Sequence, residues 1–473
     1  MKKCNPLKRR EFIRQGLAGA TALSVPGLAG LLHSESAQAQ VADDFKALVF
    51  LFLEGGNDSY NMLPPISGTL RTRYDSGRGF IALPSQDLNP ISLVQPADLF
   101  DGNTHNDFGF HPNCPQIAEI FNAGELNVMC NAGNMVTPVD LPGFNNGTVA
   151  LPPQLFSHAD QQRQLQSEPN NQFRYGWGGR MAELLTTYNL DPLVSPLITL
   201  SGLNAFQVSR DSLINPYGLS NDGAMALNLF NGFRRTMIEN SMTAASDGGD
   251  LLSQKYAEVF QSARTAEVIV RAAFDEAEAN GIDYDAIFAT AGGTDTTTQR
   301  CLKTVAKMIA GRNSNTNLRP IFFISMRGFD THQNLLGTHA SLMTDLDASM
   351  KGFRDALIAQ GDFDSVVTMV GSEFGRTFTP NGNNAAAGSD HGWGGHLMFM
   401  GDAVNGSRLL GVHPDFRLDQ GLDTGRGRWI PTTSASQSAA ELARWMGVPE
   451  GELLAIFPSL TNFGGVPAPS IIA

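Results

Sequence analysis

A chain of 473 residues with 42% hydrophobic side chains, 49 Gly and 25 Pro has the composition of a turn-rich globular protein, not of a disordered one. It is long enough for one large α/β domain or two smaller ones. A formal charge of −13 excludes nucleic acid and anionic lipid as partners, because such a surface repels both; an anionic ligand would need a local positive charge, for which a bound metal ion is one source.

The first residues read as an address. Lys8-Arg9-Arg10-Glu11-Phe12-Ile13-Arg14 precedes an uncharged Gly/Ala/Leu segment, Gln15 to Leu32, and then Ala37-Gln38-Ala39. A basic region, a mildly apolar core and a small-residue cleavage site make an export signal, and Arg9-Arg10 with Phe12 two residues on is similar to the twin-arginine type. Residues 1–39 are therefore expected to be a signal cleaved after Ala39, with the twin-arginine export machinery as partner and the periplasm or the extracellular space as destination. The segment contains Pro26 and is weakly hydrophobic for a lipid-spanning helix, so no stable membrane span is expected after cleavage. Loss of these residues, with six basic and two acidic side chains, takes the formal charge from −13 to −17.

Three continuous apolar runs predict buried strands: 47–53 (ALVFLFL), 321–326 (IFFISM) and 366–370 (VVTMV). Weaker strand candidates are 126–131 and 198–201. Amphipathic helices are predicted at 251–279, 299–310, 342–359 and 439–446, whereas the Pro-, Asn- and Gln-rich stretch from Asp140 to Arg174 reads as loop. Residues 203–299 carry no strong strand signal and read as a helical cap or insertion. Strands alternating with helices predict a doubly wound α/β sheet, and no internal repeat is present. Once Cys4 leaves with the signal, Cys114, Cys130 and Cys301 allow either one disulfide or buried thiols.

In open α/β sheets ligands bind at the carboxyl ends of the strands, so the chemistry is sought just after each run. Glu54-Gly-Gly-Asn-Asp-Ser59 follows the first, Arg327-Gly-Phe-Asp-Thr-His332 the second, and Gly371-Ser-Glu-Phe-Gly-Arg376 the third. After the Asn/Gly/Ala-rich residues 381–388 comes Ser389-Asp-His-Gly-Trp-Gly-Gly-His396. Asp and His are the usual ligands of Zn²⁺ and Mn²⁺ in hydrolytic sites, and glycines would let the backbone bend so that such ligands aim at one ion or at two. Each stretch also has an ordinary reading: a turn after a strand for 55–59, a helix cap for Asp330 and Thr331, a chance pairing for Ser157-His158. Their joint placement after separate predicted strands favours a site.

The twin-arginine signal, strand-Gly-Gly-Asn-Asp, Gly-Phe-Asp-Thr-His, Ser-Glu-Phe-Gly-Arg-Thr and Asp-His-Gly-Trp-Gly-Gly-His, in that order, resemble an exported, sulfatase-like bacterial family of the alkaline phosphatase superfamily. The resemblance spans almost all of the chain beyond the signal. It implies a three-layer α/β/α sandwich with a mostly parallel central sheet, paired divalent metals (Zn, Mn or Ca), and a Ser, Thr or formylglycine nucleophile acting on a phosphate or sulfate ester. Carried over by residue, it implies one metal held by Asp58, Asp390 and His391 and another by Asp330, His332 and His396. Ser157 is then the candidate nucleophile with Ser59 in reserve, and Arg376 or Arg163 would hold the ester oxygens. Two departures matter: only Thr331 separates Asp330 from His332, where the phosphatases have three residues, and the Cys-x-Pro-x-Arg formylglycine sequence is absent, since Cys114-Pro115 does not fit it. The expectation is an exported metal-dependent hydrolase of small-molecule or polysaccharide esters. The alternative is a non-catalytic, metal-stabilised binding or assembly protein on the same fold.

Overall fold

The computed structural model describes residues 45–169, 174–189, 194–211, 214–221, 223, 230–464 and 470–473. The expected signal, residues 1–39, lies outside the described residues. Beyond Phe45 the described chain forms one body, and no helix in it is long and apolar enough to cross a membrane.

A nine-stranded sheet organises this body. In chain order its strands are β1 (Ala47–Glu54), β2 (Leu126–Gly133), β3 (Leu197–Thr199), β4 (Tyr217–Gly218), β5 (Ile321–Arg327), β6 (Val366–Gly371), β7 (Gly395–Met400), β8 (Leu409–Leu410) and β9 (Thr433–Ser434). They lie side by side as β8-β2-β7-β6-β1-β5-β3-β4, with β9 also on β2. The three strong apolar runs form the centre, and both weaker candidates are strands. All pairings are parallel except the two made by β7, which runs against both β6 and β2.

That one reversed strand was not expected from sequence. Its apolar stretch is short and follows two glycines and a histidine, which reads as loop. Its consequence is positional: residues 372–394 leave the carboxyl end of β6 and re-enter the sheet at the start of β7, so both ends of the segment stay at one edge. The central strands are aligned there, with Glu54 opposite Arg327 and Phe52 opposite Gly371.

Helices cover both faces, giving the expected α/β/α layering. Side-chain alternation sends Leu48, Phe50 and Phe52 of β1 to one face, where they join Phe323 and the helices α5 (Trp177–Leu184) and α11 (Ala435–Met446) in one apolar cluster. Phe50 meets Phe52, Phe206 and Phe323 edge-on, the arrangement that the ring quadrupole favours. Val49, Leu51 and Ile324, on the other face, are equally buried. That side holds α3 (Pro115–Asn122), α9 (Thr297–Ala310) and α10 (Leu335–Gln360), which pack on one another, with α9 against β5. Capping boxes start two of these helices where the sequence pattern placed their apolar faces: Thr296 with Gln299 for α9, and Ser434 with Gln437 for α11. The stretch 203–299 contributes the edge strand β4 and three helices, α6 (Gly232–Gly248), α7 (Leu251–Ala279) and α8 (Tyr284–Thr290).

The region 140–174 departs from its loop reading. It contains a short helix over Leu141–Asn146 and α4 (His158–Gln166). Helix α4 is polar in sequence yet largely buried, because Gln161 and Gln164 donate to the Pro153 carbonyl, so composition signals a loop where hydrogen bonds make a helix. Cys114, Cys130 and Cys301 are buried free thiols.

Candidate metal centre

Four segments leaving the carboxyl edge of the sheet meet at Asp330. His332 Nε2 lies 3.0 Å, His391 Nε2 3.3 Å and His158 Nε2 3.4 Å from Asp330 Oδ1, and the Nε2 atoms of His332 and His391 are 3.0 Å apart. His158, Asp330 and His391 present ligand atoms all within 4.8 Å of one another, a group that could hold a metal ion.

The outer nitrogen of each ring fixes its tautomer. His158 Nδ1 donates to Glu373 Oε1 at 2.7 Å, His332 Nδ1 to Asp390 Oδ1 at 3.0 Å, and His391 Nδ1 to the Phe156 carbonyl at 2.7 Å. A carbonyl and an ionised carboxylate only accept, so all three Nδ1 atoms carry hydrogen and all three Nε2 lone pairs turn inward, towards a carboxylate oxygen that is itself an acceptor. The His158 Nε2 atom is buried and has no hydrogen-bond partner. Lone pairs converging on an anion at these distances repel unless a cation sits among them. Imidazoles oriented through Nδ1 by carboxylates and carbonyls are the usual second support of a metal centre. His158, Asp330 and His391 therefore fit a metal ion, with His332 Nε2 beside them against both Asp330 and His391.

Charge around the centre is arranged to the same end. Burial pushes the Asp390 carboxyl up, but hydrogen bonds from Arg426, Asn381 and His332 outweigh it and hold the group well below the usual carboxylate range. Asp330 is balanced alike: burial raises it, and the Arg376 hydrogen bond and charge bring it down. Burial lowers the His391 imidazole, which favours its neutral, ligating form, while the Glu373 hydrogen bond raises His158. Glu373, fully buried, also takes N–H groups from Gly55 and Gln162 and the Ser372 hydroxyl. A Glu373→Gln chain would place an amide NH₂ among those donors and loosen His158. We expect metal affinity to fall about 10- to 100-fold, read by competition with a chelating dye, with the thermal unfolding of the metal-free chain changed far less.

The glycines act here by closeness rather than by bending. Gly55 has φ +124°, and a Cβ on it would overlap the Asp330 backbone nitrogen, so β1's exit can touch the Asp330 turn only without a side chain. Gly394 does not have a positive φ; a Cβ there would overlap Asn131 Oδ1. Phe156 does carry strain, with φ +72° in a non-glycine residue, and it is this residue's carbonyl that holds His391.

The structure brings only some of the expected ligands together. Asp330, His332, Asp390 and His391 come together, but Asp390 orients His332 through Nδ1 instead of facing the centre. Asp58 is turned away: its carboxylate is fully buried against Arg78 and caps the short helix α1 (Ser59–Met62). His396 belongs to that same buried region, stacked edge-on against Tyr60 and beside His413, with Nδ1 accepting the Asn131 N–H.

Arg376 also departs from its expected role. It is completely buried, and its guanidinium is spent on the Gly55 carbonyl, Asp330 Oδ1 and the Ser389 carbonyl, so it positions Asp330 and has no face left for an ester. The cations at the rim are Arg426, on Asp390, and Arg428, on the His391 carbonyl and over the Phe156 ring. Arg163 lines a neighbouring cavity of about 330 Å³ with Glu54, Gln162 and Arg327. Ser157 stands at the N-cap position of α4, next to His158, with no capping hydrogen bond from its side chain; its hydroxyl donates instead to Asp160 Oδ2 at 2.6 Å. The reserve, Ser59, is buried and receives the His396 N–H. Sequence reasoning passed over His158 as a ligand and Glu373 as its support. The signal for both was their place in the Ser157-His158 and Ser372-Glu373 pairs.

A family profile described as a protein of unknown function, DUF1501, matches residues 45–422. No curated protein matches the chain in sequence. Among solved structures it is similar to Ps i-CgsB, crystallised in complex with k-i-k-neocarrahexaose, at 11% identity over 90% of this chain and 77% of that one, with a TM-score of 0.34. It is similar to the lipoteichoic acid synthase LtaP from Listeria monocytogenes at 10% identity over 79% and 71% of the two chains, TM-score 0.31. The corresponding values for the PsFucS1 sulfatase from Pseudoalteromonas sp. are 10%, 84%, 70% and 0.30. Likenesses this distant assign neither site nor activity, which rest on the geometry above.

Proposed function

The chain belongs to the DUF1501 family of proteins of unknown function, and from that premise we propose that it is an exported, metal-dependent hydrolase of phosphate or sulfate esters. The observation that carries the reading is the convergence of three imidazole Nε2 atoms on Asp330 next to a serine whose hydroxyl already has a carboxylate acceptor. His158, Asp330 and His391 would hold an ion, with His332 beside it, and imidazole nitrogens with a carboxylate suit Zn²⁺ or Mn²⁺. When bound, that ion supplies positive charge for the ester's non-bridging oxygens.

The protein's own groups do the rest. Asp160 takes the proton from Ser157 Oγ, which bonds to phosphorus or sulfur while the ester's alcohol leaves with a proton from solvent; water then cleaves the serine ester. The free N–H groups at the start of α4 face the developing negative charge, and Arg426 and Arg428 draw an anion towards the centre of an otherwise acidic chain. The similarity of residues 8–39 to a twin-arginine export signal supports a periplasmic or extracellular setting for this chemistry.

The test is a panel of 4-nitrophenyl phosphate, bis(4-nitrophenyl) phosphate and 4-nitrophenyl sulfate, each with Zn²⁺, Mn²⁺ and Ca²⁺. We expect turnover of at least one ester, and a loss of about 10³-fold or more in Ser157→Ala with metal content unchanged. Full metal occupancy without turnover of any ester would replace this reading with the non-catalytic binding or assembly protein.

A further inference from the structure

Helix α6 does something a helix in a folded domain rarely does: none of its 17 residues is buried. It pairs with the first half of α7, whose second half packs on α9 and buries Ala266, Val270, Ala273 and Ala277. The hairpin, residues 232–264, thus carries two helical segments whose main mutual contact is with each other. Such short helices owe their stability to burial of an apolar face rather than to intrinsic propensity. Phe230 ties its base, packed on Phe260 and under the guanidinium of Arg264.

The apolar faces exist and, among the described residues, are uncovered. Phe233 and Met237 lie one turn apart on α6, and Leu252, Tyr256 and Val259 follow at spacings of four and three on α7, beside Leu251. Phe233 is 77% exposed, Leu251 82% and Leu252 81%. Six large side chains so exposed present roughly 700 Å², close to the ~800 Å² per partner of a standard protein interface.

Charge says what fits. Residues 232–264 hold four basic and four acidic side chains, so this surface is neutral on a chain of net charge −13, and two copies can approach here with little repulsion. The signs are also unevenly placed: Arg234, Arg235 and Arg264 lie at the base, where Arg235 is paired with Glu239 and Arg264 with Glu267, and Asp247 and Asp250 lie at the turn between the helices. Antiparallel packing of two identical hairpins would set each basic base against an acidic tip. We propose that this hairpin is the interface with a second copy of the chain, forming an isologous four-helix bundle around a twofold axis.

Sedimentation equilibrium of the mature chain tests it. We expect a dimer at micromolar concentration, and in Leu252→Asp a dissociation constant raised on the order of 100-fold, with metal content and circular dichroism unchanged because the side chain is exposed. Arg234→Cys and Asp247→Cys chains, mixed and oxidised, should cross-link mainly to each other; the native thiols beyond the leader are buried and do not compete. A monomeric wild-type chain, an equally tight Leu252→Asp dimer, or cross-linking mainly within each variant would overturn the proposal, as would a monomer that co-sediments through this face with phosphatidylglycerol vesicles.

Discussion

A His391→Ala chain will purify with close to no bound Zn²⁺ or Mn²⁺, while wild type and His396→Ala carry close to one ion each by inductively coupled plasma mass spectrometry. A structural zinc site binds with roughly 10–16 kcal/mol, so losing one of three ligands removes about 3–5 kcal/mol, on the order of 10²- to 10⁴-fold in affinity, enough to empty the site during purification. The pairing with His396→Ala is the informative part. His391 points Nε2 at Asp330, whereas His396 is fully buried beside Tyr60 and His413, and its Nε2 atom has no hydrogen-bond partner. Equal loss from both variants would restore His396 to the ligand set and argue for a second ion.

Acid will destabilise the fold through its buried imidazoles. Burial lowers His396 to about 4 and His339 to about 3, and burial followed by the neighbouring His339 lowers His111 to about 3. All three are neutral in the folded chain and titrate near 6.5 once unfolded. Between pH 6.5 and 4 the unfolded state therefore binds more protons than the folded one, and stability falls as pH falls. It is fully present above 6.5. Each pH unit over which a buried imidazole stays neutral while its unfolded counterpart is charged is worth about 1.4 kcal/mol, so over the two units from 6.5 to 4.5 three such groups account for up to about 8 kcal/mol, comparable to the whole stability of a domain. Urea unfolding from pH 7.5 to 4.5 should show this slope. The His391→Ala chain should show it too, which separates fold protonation from loss of metal; a midpoint flat down to pH 4.5 in that chain would refute it.

The fold was legible because its central strands are almost uninterrupted apolar runs, a pattern that only a sheet covered on both faces requires. The site was legible in its position and in Asp330, His332 and His391, since ligand-type residues follow those runs directly. What sequence could not give was division of labour. Asp58 and Asp390 look like any metal-ligating aspartate until their partners are known, and those partners, Arg78 and Arg426, are distant from them in the chain. His158 was obscured for the opposite reason: its helix is made of glutamines whose burial depends on carbonyls that composition does not reveal. Arg376 likewise looks like an anion clamp until three acceptors are seen to surround it.

The single reversed strand, β7, sets where the chain can be lengthened. Because it returns the 372–394 segment to the edge it left, and the cross-bridges between Arg376 and His391 and between Gln333 and Ala387 hold the segment at its base, only the exposed residues 382–385 reach out beyond the bonds that Asn381 makes to Asp390 and Ala386 to Asn334. Lengthening such a tip costs only about 0.6 kcal/mol per doubling of a flexible loop. An insertion at that tip would therefore change what lies over the histidine cluster while leaving the β6 and β7 ends that carry it in place.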